Sequence, residues 1–319
     1  MHRSILIAFV ISLLAIGCAA APVTTAAKPL RILLTNDDGY DAPGINTLQR
    51  HLLAAGHDVT LVAPLKDHSG SGIRVTTHGR LHYENHAAAV WSVDGTPADA
   101  VLVGLQHIMD GELPDLVVSG ANFGPNLGYA GSSGTVGSAR MATFAGIPAI
   151  AISVGVNPAE YRAEPYPFPG TLDAFTGAAD FIVALINDLQ AASSGGDRLL
   201  PQLTILSINY PAASPEQISG VRVVKSTWDA GVRIDYEETG EAGELRVDLQ
   251  LLDPGTAVSN DEDWQLLARK YITISVFDGD PNSPDAVREA ITKQLSTLDF
   301  ALFSTPAANE PVIDEPRTR

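Results

Sequence analysis

The stretch with the clearest chemical potential is Asn36-Asp37-Asp38-Gly39, which directly follows an apolar run at residues 31–35. Adjacent residues of an extended strand point to opposite faces, so the two carboxylates converge only if the chain turns, and Gly39 permits such a turn. Two converging carboxylates repel each other unless a cation offsets their charge. Carboxylates combined with amide or hydroxyl oxygens suit hard cations such as Mg²⁺, Mn²⁺ or Ca²⁺. The stretch therefore predicts a divalent metal site at a strand end.

Composition limits the class of protein to which this chain can belong. It has 319 residues, 45% of them hydrophobic, with a mean hydropathy of +0.10, and this predicts a packed globular protein. The formal net charge is -17, and no basic cluster is present, which argues against binding to a nucleic-acid polymer. Capture of an anionic substrate by so acidic a chain would need a metal or backbone amides.

The first 18 residues have the pattern of an export signal. Arg3 precedes a short apolar run that ends at Cys18, the one cysteine of the chain, and the run is short for a membrane span. Residues 15–18 resemble a bacterial lipoprotein processing site, which predicts a lipid anchor at Cys18, although the alanines at 19–21 also suit ordinary signal cleavage. Residues 19–29 are interpreted as a small-residue linker. We therefore expect an exported protein on the periplasmic side of a bacterial envelope, lipid-anchored or otherwise soluble there.

From Arg31 onward, short apolar runs alternate with segments of helical periodicity. Alternation of strands and helices predicts an α/β fold, Rossmann-like, in which helices cover both faces of a mostly parallel sheet in three layers. The predicted strands are "RILLT", "HDVTLVAP", "DLVVSG", "PAIAISV", "LTILSIN" and "YITISVF". One predicted helix contains residues 45–53 and ends at Gly56, and the others begin near residues 97, 135, 171 and 284.

The sequence pattern changes after Pro211. Residues 220–252 alternate apolar and polar side chains, as in "LRVDLQLL", which predicts antiparallel hairpins that form a C-terminal β-hairpin arm. One continuous domain is nearly as well supported by the pattern as a separate arm. A polar tail occupies residues 304–319.

Polar segments follow the first three predicted strands, namely "TNDDG", "APLKDHSGSG" and "SGANFGPN", and a fourth, "SSGTVG", opens a predicted helix. In open parallel sheets, ligands bind beyond the carboxyl ends of the strands. We therefore expect these four segments to meet at one edge of the sheet and to form one site. Each residue taken singly also has a structural interpretation, as a turn residue, loop hydroxyl or helix cap.

Five motifs give the chain a specific resemblance: "ILLTNDDGYDAPGI", "VAPLKDHSGSG", "DGTPADAV", "PDLVVSGANFGPNLG" and "SGTVGSA". Their order and spacing resemble those of the SurE family of metal-dependent phosphatases. The resemblance implies a phosphatase domain at residues 30–303, 5′(3′)-nucleotidase activity on nucleoside monophosphates, and a divalent cofactor such as Mg²⁺ or Mn²⁺. It also implies a homodimer, or a tetramer of dimers, with exchange of the hairpin arm at about 220–252.

The resemblance also implies roles for particular residues. The implied metal ligands are Asp37, Asp38, Ser69 and Asn122, and the two aspartates are also the implied catalytic residues. The implied phosphate- or substrate-binding residues are Asn36, Asn126, Ser133, Gly134 and Thr135. Gly134 lets backbone approach an anion, and the helix after it presents N–H groups to that anion.

Two departures from the family pattern leave room for functions besides nucleotide hydrolysis. The segment between Asn126 and Ser133 is one residue shorter than in common members, and Met141 replaces a usual glutamate. They favour a non-catalytic nucleotide- or phosphate-binding envelope lipoprotein as the main alternative to the enzyme. The pattern also leaves open a broader acid phosphatase or exopolyphosphatase, and a structural lipoprotein with a degenerate site.

Overall fold

The computed structural model describes residues 28–157, 159–160, 168–193, 198–227, 232–251, 262–280 and 284–295. The predicted export signal, the anchor at Cys18, most of the linker and the polar tail lie outside these ranges. The predicted domain limits therefore stay predictions.

The strands are β1 (Arg31–Thr35), β2 (Asp58–Pro64), β3 (Tyr83–Ala87), β4 (Val90–Val93), β5 (Leu116–Phe123), β6 (Ala149–Val154), β7 (Thr204–Tyr210), β8 (Gly220–Val224), β9 (Val232–Glu238), β10 (Leu245–Leu251) and β11 (Tyr271–Asp278). The helices are α1 (Pro43–Ala54), α2 (Pro97–Val103), α3 (Gly134–Phe144), α4 (Pro169–Ala192), α5 (Asp263–Ala268) and α6 (Asp285–Leu295).

In the described part of the chain, nine strands form one sheet in the order β3-β4-β2-β1-β5-β6-β7-β11-β8. The six strands from β4 to β7 in this order run parallel, whereas β3 and β11 run antiparallel to their neighbours β4 and β7. The central strands β5 and β6 are almost entirely buried. This is expected where helices cover both sheet faces. The predicted mostly parallel α/β sheet is confirmed.

Two apolar clusters lie on opposite faces of the sheet and make the three layers. One contains Ile45 and Leu48 of α1 with Ala178 and Ile182 of α4. The other is built around α2 and α3, with Val101 and Val136 among its members. Alternate residues of β1 divide between the two clusters, as the two-residue period of a strand requires.

Of the described helices, one is long and apolar enough to cross a membrane, namely α4. Phe175, Ile182 and Ile186 of this helix are buried in the first cluster. Its apolar character is therefore accounted for by packing on the sheet.

The C-terminal hairpin is present, but the predicted β-rich segment divides between two sheets. β9 and β10 pair antiparallel as a separate two-stranded sheet. β8 instead joins the central sheet as its edge strand, parallel to β11. An alternating pattern is typical of any half-buried strand, so it does not reveal which partner the strand pairs with. The short hairpin of β3 and β4 was not predicted, because every residue of β3 is exposed and no apolar period marks it.

The chain order reverses at β1, which lies between β2 on one side and β5 on the other. Such a reversal leaves a crevice beyond the carboxyl ends of the two strands, because the connecting helices leave toward opposite faces. Asp37 and Asp38 follow β1, and Asn122 lies at the end of β5. The fold therefore places three of the four predicted metal ligands where α/β sheets commonly bind ligands.

Candidate functional site

The turn after β1 is held by the side chain of Asn36. Its Nδ2 donates to the carbonyl oxygen of Gly39 at 2.8 Å, and its Oδ1 accepts from the N–H of Gly39 at 3.2 Å. Gly39 has a φ of 113°, a conformation that L side chains rarely adopt. Both ends of the buried Asn36 amide thus shape the turn that presents Asp37 and Asp38. A contact of Asn36 with phosphate stays a prediction.

Asp37 is buried against the start of α3. The residue is only 3% exposed, and its Oδ1 accepts a hydrogen bond from the Thr135 hydroxyl at 2.5 Å. A Cβ atom at Gly134 would lie 2.7 Å from the Asp37 Cβ and 2.8 Å from Oδ2. Only glycine therefore allows α3 to approach Asp37 this closely. Thr135, predicted as a phosphate-binding residue, has a metal-ligand candidate as its hydrogen-bond partner.

Asp38 is half-buried and lies beside β5. Its Oδ2 accepts from the backbone N–H of Phe123 at 3.0 Å. Asn122 precedes Phe123 and is 8% exposed; its Nδ2 donates to the Gly124 carbonyl at 2.7 Å. No described residue donates to the Oδ1 of Asn122, so this oxygen remains as an acceptor. The structure thus brings Asp37, Asp38 and Asn122 together at the ends of two neighbouring strands.

The loop after β2 reaches the same turn. The backbone N–H of His68 donates to the carbonyl oxygen of Asp37 at 2.8 Å, and the exposed Ser69 follows it. The backbone N–H of Ser69 donates to the Asp67 carboxylate at 2.7 Å. No described contact joins the Ser69 hydroxyl to the aspartate pair, so its role as a ligand stays a prediction.

The electrostatics of the pair favour a bound cation. No ion pair among the described residues includes Asp37 or Asp38. Burial raises the pKa of Asp37 despite hydrogen bonds from Thr135. Burial, and then the neighbouring charges of Asp37 and Asp67, raise the pKa of Asp38 to about 7. Two carboxylates that resist ionisation in this way are stabilised in their charged form by a cation between them.

The hydroxyl of Ser71 lies near the aspartate pair. The buried Oγ of Ser71 has no hydrogen-bond partner among the described residues, and it lies 2.9 Å from the position that a Gly134 Cβ would occupy, next to Asp37. Buried polar atoms without partners cost free energy unless a ligand or water satisfies them. Among the described residues, no group of three His, Cys, Asp or Glu side chains converges. The residues present therefore fit a hard cation held by two carboxylates and neutral oxygens, and they do not fit a thiolate or multi-histidine site.

The remaining predicted residues flank this centre. Ser133 caps α3, and its Oγ accepts from the N–H of Val136 at 3.1 Å. Asn126 donates through Nδ2 to the Ser153 Oγ at 2.7 Å. The backbone N–H of Asn126 donates to Oδ1 of Asn209 at 2.7 Å. These contacts position the loop between β5 and α3, and a direct contact of this loop with phosphate stays a prediction.

Two positioning residues were missed by reasoning from the sequence: Ser153 and Asn209. Asn209 is 1% exposed near the end of β7, and its amide binds the backbone of Asn126 in both directions. An asparagine within the apolar strand "TILSINY" breaks the expected hydrophobic run. That break was the available indication of a buried polar role.

Comparisons with known proteins find similar sequences that carry one family name. The family model described as "Survival protein SurE" matches residues 32–230. A Gloeobacter violaceus protein named 5′-nucleotidase SurE is 38% identical over 203 residues, which are 61% of this chain and 70% of that protein. A Pelotomaculum thermopropionicum protein of the same name is 37% identical over 243 residues, which are 72% of this chain and 84% of that protein.

A solved structure extends the similarity to the fold. The crystal structure of SurE protein from Aquifex aeolicus superimposes with a TM-score of 0.69 at 28% sequence identity. The superposition covers 83% of this chain and 99% of the Aquifex chain. The region matched by the family model includes both carboxylates, the β5 loop and α3, so the chain belongs to the SurE family.

Proposed function

We propose that this protein is a divalent-metal-dependent phosphomonoesterase, a 5′(3′)-nucleotidase that releases phosphate from nucleoside monophosphates. The observation that carries the proposal is the uncompensated pair Asp37 and Asp38 at the β1–β5 crevice, beside the N-terminus of α3. The names of the relatives support the nucleotide as substrate. A non-catalytic binder is not favoured, because the whole carboxylate and amide set is retained.

The cation would be held by Asp37, Asp38 and Asn122, with Ser69 supplied by the loop after β2. Mg²⁺ and Mn²⁺ suit these hard oxygen ligands, and Ca²⁺ fits the same set. When bound, such a cation neutralises phosphoryl charge and makes a bound water more acidic. A broader acid phosphatase or exopolyphosphatase, the other alternative from the sequence, is not favoured, because the relatives are named 5′-nucleotidases.

The chain's own groups would bind and orient the phosphoryl group. The N-terminus of α3 carries a partial positive charge and lies next to Asp37, so it favours an anion in the crevice. Gly134 keeps this approach open because it has no Cβ. Asn209 and Ser153 hold the loop residue Asn126, which would approach the phosphoryl group from the side of β5.

Proton transfer is better suited to Asp38 than to Asp37. Asp37 is more deeply buried, and its Oδ1 already accepts from Thr135. Asp38 is partly exposed, and its Oδ2 accepts from the N–H of Phe123, which leaves Oδ1 to exchange a proton with bound water. A carboxylate positioned in this way serves as a general base.

The hairpin of β9 and β10 supports assembly as a homodimer, or as a tetramer of dimers. Ile234, Tyr236, Leu245 and Val247 project from one face of the hairpin and are 41%, 65%, 55% and 62% exposed. A two-stranded hairpin is only marginally stable by itself in water. Docking of its apolar face against another protein surface would stabilise it. A second copy of the chain is the partner proposed.

The N-terminal sequence supports an exported enzyme. Residues 1–18 have the pattern of a signal, and Cys18 lies where lipid attachment would require it. We infer a lipid anchor on the periplasmic side of a bacterial envelope, where the enzyme would recover phosphate and nucleosides.

The test of the proposed function is phosphate release by the purified protein after removal of metal. Rigorously metal-free protein should not hydrolyse p-nitrophenyl phosphate or adenosine 5′-monophosphate, and added Mg²⁺ or Mn²⁺ should restore activity. Full activity in the metal-free protein would refute the metal dependence. Nucleotide binding without hydrolysis under every metal would favour the non-catalytic binder.

A further inference from the structure

A cavity of about 260 Å³ lies against α3, between Ile73, the residues Ser226 and Thr227 that follow β8, and Phe277 of β11. Gly128, Gly131 and Gly137 form part of its wall, and Ile73 and Phe277 give it apolar surface. Arg140 also lines the cavity and alone among the lining residues carries a formal charge. The cavity thus combines small residues, apolar surface and one cation.

The cavity is joined to the metal-site candidates by two segments. Ser71 lies next to Asp37, whereas Ile73, two residues later in the same loop, lines the cavity. Gly134 contacts Asp37, and Arg140 follows it by six residues on α3, about 9 Å along the helix axis at 1.5 Å per residue. One nucleoside monophosphate can therefore place its phosphate at the aspartates and its base in the cavity.

The guanidinium of Arg140 has no partner in the described part of the chain. Its Nε is buried without a hydrogen bond, and no described ion pair or hydrogen bond includes the Arg140 side chain. A buried donor without an acceptor costs free energy, so an acceptor from a ligand would stabilise it. The planar guanidinium presents its donors as a fork that suits two neighbouring acceptors.

We propose that this cavity binds the nucleobase of the substrate and that Arg140 selects bases with a 6-keto oxygen, namely guanine and hypoxanthine. Guanine presents O6 and N7 as adjacent acceptors, which arginine binds in a bidentate manner, whereas adenine offers an amino donor in place of O6. The apolar surface of Phe277 and Ile73 and the glycine wall suit the flat faces of a purine. This inference rests on the proposed function, since it names the substrate class of the same site.

The direct test compares kcat/KM for guanosine, inosine, adenosine and cytidine 5′-monophosphates on the metal-loaded protein. Guanosine and inosine monophosphates should be preferred over adenosine monophosphate by roughly 10-fold or more, the usual discrimination of a bidentate arginine contact. Arg140→Met keeps an unbranched stem without donors and should abolish the preference. Arg50→Met removes an exposed arginine of α1, away from the cavity, and should retain it. Equal kcat/KM values for guanosine and adenosine monophosphates in the wild type would overturn the proposal.

A second variant tests the cavity without removing the arginine. A Cβ at Gly131 would meet no atom within 4 Å, so Gly131→Leu adds a side chain to open space that adjoins the cavity. It should raise KM for all four nucleotides by more than for glycerol 2-phosphate, which has no base. An equal change for glycerol 2-phosphate would contradict base binding there.

Binding of nucleosides separates this inference from the proposed function. Calorimetry with guanosine and adenosine on metal-free protein requires neither catalysis nor phosphate. Guanosine binding that weakens in Arg140→Met but not in Arg50→Met would support the cavity even if no phosphomonoester is hydrolysed. Guanosine binding unchanged by Arg140→Met would overturn the inference even in an active phosphatase. An effect of Arg140→Met that appears only with substrates carrying a second phosphate would also overturn it, because Arg140 would then bind phosphate and not the base.

Discussion

The hydroxyl of Thr135 donates a hydrogen bond to Oδ1 of Asp37 across 2.5 Å, joining the first turn of α3 to the end of β1. Both residues are buried, at 0% and 3% exposure. Thr135 thus orients a metal-ligand candidate, and the helix that would receive phosphate is tied to the carboxylate that would hold the cation. Loss of this bond is expected to disturb the metal site before it disturbs substrate binding.

We therefore expect Thr135→Ala to weaken metal affinity by roughly 10-fold or more, because a hydrogen bond to a charged group contributes about 1.5–3 kcal/mol. Thr135→Ser retains the hydroxyl and is the matched control. Calorimetric titration of metal-free protein with Mn²⁺ measures the effect. Normal metal affinity together with a raised KM would instead assign Thr135 to phosphate.

Replacement of Asp38 tests its two proposed roles. Asp38→Asn keeps the size and an oxygen that can accept from Phe123, so the fold should persist by circular dichroism. The loss of charge should weaken metal binding. If Asp38 also moves a proton, the rate should stay roughly 100-fold or more below wild type at saturating metal.

Asp41→Asn is the control, since it removes an exposed carboxylate three residues later in the chain. Recovery of the full rate in excess metal would limit Asp38 to a ligand role.

The raised pKa of Asp38 predicts a pH dependence of stability in the metal-free protein. The folded pKa is about 7 and the ordinary value is 3.8, so between roughly pH 4 and 7 the folded state binds a proton that the unfolded state does not. The free energy of unfolding should therefore fall, through this group, as pH rises across that window. Added metal should stabilise the protein more at pH 8 than at pH 5.5.

Calorimetric melting of wild type and Asp38→Asn over this pH range reports the contribution of Asp38 together with its coupling to Asp37, since the remaining titrating groups are shared. The buried His57 is one such group: burial lowers its pKa, which acts in the opposite direction. Parallel stability curves for the two proteins would contradict the prediction.

Charge on the apolar face of the hairpin is expected to prevent assembly. Tyr236→Lys and Val247→Lys place ammonium groups on the exposed face of β9 and β10, where desolvation on docking is unfavourable. Asp248→Lys adds the same side chain on the opposite face and is the control. Light scattering after size-exclusion chromatography should show monomers for the first two variants only. Unchanged assembly in all three would remove the hairpin from the interface.

Lipid attachment is tested at the single cysteine. Cys18→Ser should abolish fatty-acid labelling in cells and release the protein from the membrane fraction into the periplasm. Membrane association that persists in the variant would refute the anchor at this residue.

Much of the site could be predicted from the sequence because its main groups are local. Asn36, Asp37 and Asp38 are consecutive, and the apolar run before them identifies a strand whose end they follow. The same local periodicity identified the central strands and the long helices, since a residue's burial on a strand or helix repeats at a fixed interval. Membership of the SurE family followed from motifs that are each contiguous in the chain.

The tertiary structure alone decided the contacts between distant segments. Thr135 meets Asp37 across 98 residues, and Asn209 meets Asn126 across 83. Neither partner could be read from spacing, because the path of a chain through a sheet is set by packing of whole elements. The same reason explains why β8 joined the central sheet. Packing of whole elements also explains the position of Arg140. The sequence shows it only as a polar residue within an apolar helix, whereas in the fold it lines a cavity formed by separate segments of the chain.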